Sequence, residues 1–559
     1  MEQNKPENWD DLCFNKKRIN DEFDILIQRS KSARELMLKI NVNCDDNVRR
    51  IIGLLADDTY EFNSFHSLCK LLKMVSPSGV CGVWGRNDRL LKEHVEMFNG
   101  DRELFNKLSR VGNYMAMGGS KEWDAGDKLF VEKVLKGFGK YGSGELKAIQ
   151  HEMNLVEEKV LGSGGVGIHA LVGLRGKFVK LLGFETFMEF RSEVDMSYIK
   201  NTLHKIMAGG DIDQRCFDEL KVMCRELGKE RVGGDDIVRF RERVNGKYGM
   251  NLVGAWNGVV RIISAIWKLE FVRQESVKGW GAGVSVYEIK YGKGRETYGY
   301  LYVDLVRDKK GGKLDQTLSI NLQECVEYPS GSGLLKMPVM VLLGSLDRDR
   351  VTYLEVIGLF REMGGIVHTL FHRAKYENIN VRLEMRSFMG YLMEHLAGDL
   401  ESIKQFFPKR AVEIHAGIMC DRAFKLKQQC IATLFDCVVH GSGKVFENGG
   451  ALLGEYERIY KAIMNVSVNQ CVMVGDKLPS NIVLGLIFNG GIVYSEITNS
   501  ILAYNLYILL KEMKGFDQFA NKVLRESLMP FDLAIKDFMV NRVEDGGYIS
   551  ENTNYFTEN

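Results

Sequence analysis

The scarcity of proline is the feature that most constrains the fold of this chain. Only 7 prolines occur in 559 residues, and proline is the residue that most strongly interrupts a helix. Long segments also carry apolar residues at intervals of three and four, which is typical of helices with one buried face. Residues 178–190 show this spacing clearly. The sequence therefore predicts a mainly α-helical protein.

One segment departs from the helical pattern and predicts a small sheet. It extends over residues 284–343, where short runs rich in β-branched, aromatic and aliphatic residues are typical of strands. Gly311 and Gly312 predict a hairpin loop at residues 309–313, between two of these strands. The runs that predict the strands are 284–289, 300–305, 318–322 and 339–343.

A glycine-rich stretch at residues 163–167 predicts a linker near the first third of the chain. It lacks the Gly-Lys-Ser/Thr of a phosphate-binding loop, so we interpret it as a joint. We therefore predict an N-terminal helical region over residues 1–160, a main domain over residues 161–545 and a C-terminal tail over residues 546–559.

Charge and composition argue against several classes of function. Lys and Arg total 75 against 74 Asp and Glu, so no overall positive charge favours nucleic acid. The 11 cysteines include no CxxC pair, which indicates free thiols in a reducing compartment. Apolar runs are shorter than a membrane-spanning helix requires. Residues 1–30 are rich in acids and show no targeting segment.

The stretch 352–372 predicts a helix that carries the most informative residues. Its apolar residues recur at intervals of three and four, as in a helix with one face in a core. Residues 361–365 read Arg-Glu-Met-Gly-Gly. This run resembles the H-E-[FM]-G-H of the active-site helix in the thimet oligopeptidase and mitochondrial intermediate peptidase family of zinc metallopeptidases. The continuation through His368, Arg373 and Tyr376 resembles the mitochondrial intermediate peptidase in particular.

Other blocks resemble the same family in the same order. Residues 181–184 are similar to its LLGF helix, 299–304 to its GYIYxD strand and 432–436 to its ATLxD helix, and 338–342 match the strand that enters the active-site helix. The resemblance covers roughly residues 168–545. It implies a large helical two-lobed ellipsoid with a central channel, a small β-sheet at the channel edge, and short peptides as the substrate class.

The resemblance also implies that the zinc ligands of the family are missing. In H-E-x-x-H two histidines at i and i+4 bind Zn²⁺, and the glutamate between them activates the water on the metal. Arg361 and Gly365 occupy the two histidine positions. Ser387 matches the third ligand, a glutamate in the family, and Glu384 is the nearby carboxylate that could substitute. We therefore expect no bound cofactor, although zinc is the cofactor of the family.

Two further residues of the motif receive an interpretation. Glu362 keeps the general-base position, but without a metal it has no acidified water to deprotonate, so we expect an idle, structural carboxylate. Arg361 is hypothesised to replace the charge of the lost ion and to pair with Glu384 or Glu394. The substrate-side tyrosines of the family should lie at residues 487–498, where Tyr494 is the candidate substrate-binding residue.

His368 and His372 form a new i, i+4 pair on the same helix. Such a pair can bind zinc, and with Glu384 it would make a relocated metal site. Core packing is the more common role of such histidines.

Three functions remain open at this stage. The leading one is a pseudopeptidase whose channel still holds a peptide or a protein segment. The second is an active metalloendopeptidase that cleaves short peptides or presequences with a relocated zinc. The third is a structural or assembly protein with a closed channel. We expect no nucleic-acid or membrane partner, a monomer as in the family, and a cytoplasmic or mitochondrial location.

Overall fold

The computed structural model of the chain is mainly α-helical, as the sequence predicts. It describes most of the region that the motifs occupy. Short gaps lie inside the described ranges, and single positions near residues 87–94, 123–135, 471 and 534–539 are described besides. The ranges are 16–75, 101–116, 144–306, 317–325, 337–372, 385–464 and 477–525.

A series of helices precedes the sheet. The ends of these helices fall where glycine or a polar cap is present, as at Asn251, whose side chain accepts a hydrogen bond from Gly254 N and begins α10. They are α1 (Lys16–Lys39), α2 (Asp45–Val75), α3 (Arg102–Ala116), α4 (Gly144–Gly162), α5 (Ile168–Leu181), α6 (Phe187–Arg191), α7 (Met196–Ala208), α8 (Ile212–Leu227), α9 (Gly234–Asn245) and α10 (Leu252–Trp267).

The predicted joint at residues 163–167 is the turn of a helical hairpin. Gly165 and Gly167 have φ values of 106° and 91°, which favour glycine over any residue with a side chain. The turn brings α4 against α5, and both helices contribute to the same core. Helices α4 and α5 therefore pack together across this joint. The domain boundary at residue 160 stays a prediction.

Residues 178–190, whose apolar spacing is helical, contain the end of one helix and the start of the next. Helix α5 ends at Leu181, and Gly183 N and Phe184 N donate to the carbonyls of Lys180 and Val179. This is a glycine C-cap, with Gly183 at φ 85°. The block 181–184 is thus a helix end, and a new helix begins only at Phe187.

The small sheet lies where the sequence predicts it and has one further strand. Its order is β2-β3-β4-β6-β5, and β6 runs parallel to β4 but antiparallel to β5. A separate two-stranded pair joins β1 (Gly249–Met250) to β7 (Val351–Thr352). The strands of the main sheet are β2 (Leu269–Arg273), β3 (Ser285–Tyr291), β4 (Glu296–Val306), β5 (Leu318–Gln323) and β6 (Val339–Leu346).

The predicted hairpin between the runs 300–305 and 318–322 is wrong. Strands β4 and β5 do not pair, because β6 lies between them. Residues 309–313 themselves lie outside the described part of the chain. Strand β5 is consequently an edge strand of the sheet.

The helices that follow the sheet surround the predicted motif. The motif helix is α11, which begins at Tyr353 and ends at Phe371, as predicted from residues 352–372. A short π-helical turn (Ala520–Arg525) follows the last of the series. The helices are α11 (Tyr353–Phe371), α12 (Phe388–Gly398), α13 (Leu400–Phe406), α14 (Ala411–Met419), α15 (Arg422–Gly441), α16 (Gly449–Ile463), α17 (Ser480–Asn489), α18 (Tyr494–Met513) and α19 (Phe516–Phe519).

Two large cores organise the described residues. The first joins α10, one face of the sheet, α11, α12 and the second half of α18. The second joins α4 to α9 with α15, α16, α17 and the start of α18. Helix α2 covers the opposite face of the sheet through residues such as Cys69 and Leu71. The first turns of α18 therefore lie at the junction of the two cores.

A membrane-spanning helix must be both long and apolar. Among the described helices none satisfies both conditions alone, and α17 and α18, which meet at 90°, do so only when taken together.

Candidate functional site

Helix α11 is fixed at its start by a capping box. Thr352 accepts a hydrogen bond from Glu355 N at 3.4 Å, and the Glu355 carboxylate accepts one from Thr352 N at 2.7 Å. These bonds satisfy backbone groups that a helix start leaves unpaired. The cap fixes where the helix begins. Along this helix, Arg361 faces α12 and Glu362 faces β5.

A close helix crossing holds α11 against α12. A Cβ added to Gly364 would lie 2.3 Å from the Met389 carbonyl oxygen, and one added to Gly390 would lie 3.2 Å from Arg361 Cγ. Only glycine permits the two backbones to approach this closely. The crossing turns the first ligand position toward the side chains of α12.

Arg361 forms the centre of a cluster of charged and aromatic side chains, which we call the Arg361 cluster. Its guanidinium lies 3.3 Å from a Glu394 carboxylate oxygen and 3.4 Å from Glu496 Oε2. The guanidinium also lies 4.5 Å from the ring centre of Tyr391, and the Tyr391 hydroxyl donates to Glu496 Oε2. Pairing with Glu394 is confirmed, whereas the other proposed partner, Glu384, lies outside the described residues.

The electrostatics of the Arg361 cluster favour the charged forms. Burial lowers the pKa of Arg361, but Tyr391, Glu394 and Glu496 outweigh it and raise that pKa above its usual value. Burial raises the pKa of Glu394, but Lys425 and Arg361 outweigh it and lower the net value. Lys425 Nζ lies 3.4 Å from the second oxygen of Glu394. Two cations and two carboxylates thus balance each other.

The residues at the three positions that the resemblance assigns to zinc ligands do not fit zinc. Arg361 carries five donors and no lone pair, and Gly365 has no side chain. Ser387 Oγ accepts a hydrogen bond from Asn499 Nδ2 at 3.0 Å. Across the described ranges, no three His, Cys, Asp or Glu side chains are grouped so that they could hold a metal ion.

Glu362 is bound to the edge strand of the sheet. Both Ser319 N and Ser319 Oγ donate to Glu362 Oε2 at 2.7 Å. About two helical turns further on, Thr369 Oγ1 accepts a hydrogen bond from Asn321 Nδ2 at 2.9 Å. The inward face of β5 is therefore linked to α11 by polar side chains. Glu362 is held by hydrogen bonds to Ser319, an arrangement that the sequence did not predict.

His368 and His372 lie beside each other, with ring centres 5.5 Å apart. Desolvation and the neighbouring His372 lower the pKa of His368 to about 3. Desolvation lowers the pKa of His372 to about 4. Both rings are therefore neutral at physiological pH. Glu384, the third member of the relocated site, lies outside the described residues.

Tyr494, the candidate substrate-binding residue, lies outside the Arg361 cluster, and its role in binding stays a prediction. It is 3% exposed, belongs to the second core, and its hydroxyl shares a hydrogen bond of 2.7 Å with Ser192. Glu496 of the same helix faces the cluster instead. Residues two apart on a helix point in nearly opposite directions, so a single helix start cannot present both.

A buried polar network positions the start of α18. The Asp436 carboxylate accepts hydrogen bonds from Gly491 N at 2.9 Å and Val493 N at 3.2 Å, and it lies 2.7 Å from His440 Nδ1. Arg175 donates to His440 Nε2 at 3.3 Å and to the carbonyls at the end of α17. Burial and Arg175 lower the pKa of His440 although Asp436 raises it. This network holds Glu496 in reach of Arg361.

Two cavities flank the Arg361 cluster. The first, of about 480 Å³, lies between α11, α12, α14, α15 and α18 and is lined by Tyr391 and Glu394. The second, of about 460 Å³, lies between α15, α17 and the start of α18 and is lined by Glu496. Gln429 lines both. The two cavities therefore approach each other at the cluster.

Solved structures with a similar fold are peptidases. A carboxypeptidase of Pyrococcus furiosus has a TM-score of 0.52 at 9% identity, over 91% of this chain and 93% of that one. Metallocarboxypeptidase 1 of Trypanosoma cruzi has a TM-score of 0.51 at 8% identity, over 93% and 92%. An M32 carboxypeptidase of Deinococcus radiodurans has a TM-score of 0.52 at 10% identity, over 89% and 98%. The chain thus has the helical fold of these metallopeptidases.

The family follows from the sequence. The model of peptidase family M3 matches residues 167–471, more than half of the chain. The chain belongs to peptidase family M3.

Proposed function

We propose that this chain is a pseudopeptidase, a member of peptidase family M3 that does not hydrolyse peptides but binds them beside the Arg361 cluster. The observation that carries the proposal is the Arg361 guanidinium, at the first ligand position and ion-paired with Glu394 and Glu496. A permanent cation at that position repels a metal ion and cannot coordinate one.

The environment of Glu362 supports the loss of catalysis. A general base must reach the proton that it abstracts, and in a zinc peptidase that proton belongs to a metal-bound water. Here one oxygen of Glu362 accepts two hydrogen bonds from Ser319. These bonds tie the carboxylate to β5 and give it a structural role.

The two cavities support the retention of a ligand. Each is within the usual range of pockets for small ligands, and each shares side chains with the Arg361 cluster. A short peptide could place side chains in both while its backbone passes Gln429. The cavities argue against the structural protein with a closed channel.

We place the chain nearest to the mitochondrial intermediate peptidase within the family. His368, Arg373 and Tyr376 support this placement through their spacing after the motif. Arg373 and Tyr376 lie outside the described residues, so the placement depends on sequence.

A relocated zinc site is the second candidate function. It is favoured by the neutral, adjacent rings of His368 and His372, since a metal binds neutral imidazole. Dialysis against zinc tests it, with the His368→Gln variant as control. Zinc that binds the natural chain but not this variant would support the second candidate over the first.

The experiment that tests the pseudopeptidase proposal separates all three functions. The protein is mixed with synthetic short peptides of random sequence, freed of unbound peptide by gel filtration, and analysed by mass spectrometry. The urea-unfolded chain serves as control. We expect intact peptides to be retained by the folded chain. Shortened peptides would indicate an active enzyme, and complete absence of retained peptide would indicate a closed channel.

A further inference from the structure

The cavity beside α17, of about 460 Å³ and called here the α17 cavity, has an unusual combination of charge and apolar surface. Its wall consists of one side of α17, two residues of α15 and the start of α18. Most of the lining is apolar, with three amide side chains. The lining residues are Gln429, Ala432, Asn481, Ile482, Leu484, Gly485, Leu486, Phe488, Asn489, Val493 and Glu496.

Glu496 is the one ionisable residue among the described residues that line the α17 cavity. The hydrogen bond from Tyr391 and the contact from Arg361 both involve its Oε2 atom. Glu496 Oε1 accepts no hydrogen bond from any residue that the structure describes. The side chain is 31% exposed. A carboxylate has acceptor sites on both oxygens, so Glu496 retains the capacity to bind a cation from the cavity side.

The apolar rim of the same cavity is open to solvent. Leu484 and Phe488 are 42% and 57% exposed. They lie four residues apart on α17, so their side chains are neighbours on one face of the helix. An apolar side chain placed over both would remove that surface from water.

We propose that the α17 cavity binds a lysine or arginine side chain of a peptide, with Glu496 as its counter-ion, while an adjacent apolar residue of that peptide packs on Leu484 and Phe488. The proposal rests on the proposed function and adds a class of peptide ligand to it. A small inorganic cation would use Glu496 alone, whereas a peptide with a basic and an apolar residue side by side matches both features of the cavity.

The test compares matched fluorescein-labelled peptides by fluorescence anisotropy. The peptides are Gly-Ala-Lys-Phe-Ala-Gly and Gly-Ala-Phe-Lys-Ala-Gly, each beside a copy with glutamine for lysine. We expect the better lysine peptide to bind roughly tenfold more tightly than its glutamine copy, because a charge-assisted hydrogen bond is lost. Added salt should reduce this ratio.

Variants of the chain locate the binding. Glu496→Gln should remove the preference for lysine, and Glu512→Gln, an exposed change on the same helix, should leave it intact. Phe488→Ser should weaken the binding of the lysine peptide and of the glutamine peptide by the same factor. Val412 is 71% exposed on α14, and Val412→Ser should have no effect.

Several results would overturn the proposal, and they differ in what else they overturn. Equal affinity for lysine and glutamine peptides would refute the cation site and leave peptide binding in place. If no peptide binds, both the cation site and the proposed function are refuted. Sedimentation that shows a dimer abolished by Phe488→Ser would assign the apolar rim to a second copy of the chain.

Discussion

Neutralising Arg361 tests whether its charge now stabilises the site. The Arg361→Met variant keeps the length of the side chain but leaves Glu394 and Glu496 without their shared cation, and it removes the cation from the face of Tyr391. Breaking a fully buried pair costs about 3–5 kcal/mol. Arg361 is 39% exposed and Lys425 still faces Glu394, so we discount the loss of unfolding free energy to about 2 kcal/mol.

Differential scanning calorimetry measures this loss. For 559 residues the unfolding entropy is about 1.2 kcal/mol per kelvin, so the melting temperature should fall by roughly 2 °C. Arg386→Met is the matched control, because Arg386 is exposed beside the start of α12, and its effect should stay below about 0.5 kcal/mol.

The pH dependence gives an independent check of the same reasoning. The native pKa of Glu394 is lowered, so its stabilising contribution is present above its usual value of 4.5 and is lost as the pH falls through the native pKa. The difference between Arg361→Met and the natural chain should therefore be full at neutral pH and shrink in acid. A melting temperature equal to that of Arg386→Met at neutral pH would refute the ion-replacement hypothesis.

Three other changes have defined outcomes. Gly364→Ala should destabilise the chain by about 3 kcal/mol or more because its Cβ meets backbone, whereas Gly365→Ala should stabilise it by about 0.5–1 kcal/mol; urea unfolding measures both. Glu362→Gln should cost about 1 kcal/mol through weaker bonds to Ser319, and no loss would contradict its structural role. The pKa of His368 is lowered to about 3 in the folded chain, so this residue takes up a proton on unfolding below pH 6.5. The free energy of unfolding should therefore fall by about 2 kcal/mol from pH 6.5 to 4.5. The fall should be smaller in His368→Gln.

Local pattern predicted those elements whose cause is local. Strands β3 to β6 follow from runs of strand-forming residues, and α11 follows from its apolar spacing and from the polar cap at Thr352. Pairing order is a different matter. The insertion of β6 between β4 and β5 depends on contacts between distant segments, so the expected hairpin was wrong.

The Arg361 cluster could be predicted only in part for the same reason. The contact with Glu394 could be predicted because the family spacing places this residue on the helix that follows α11. Glu496 is 135 residues from Arg361 along the chain, and nothing local distinguishes it from other surface glutamates. The segment that the resemblance indicated, residues 487–498, contains both Glu496 and Tyr494. The helical phase of α18 turns Glu496 to the cluster and Tyr494 into the second core.

The structural roles of Gly364 and Gly365 could not be predicted from the sequence. Gly364 belongs to the motif, yet its role became clear only from the 2.3 Å approach that a Cβ would make to the Met389 carbonyl. A Cβ added to Gly365, by contrast, would lie 3.6 Å from Ser319 Oγ, an ordinary van der Waals contact. Adjacent glycines on one helix thus differ in their surroundings: packing requires glycine at position 364, whereas a small side chain fits at position 365.

The central claim is that the chain has lost zinc and catalysis together. Zinc in the purified protein is measured by plasma mass spectrometry, alongside cleavage of a quenched fluorescent peptide with and without chelator. We expect near-zero zinc and no cleavage. One zinc per chain with chelator-sensitive cleavage would contradict the claim.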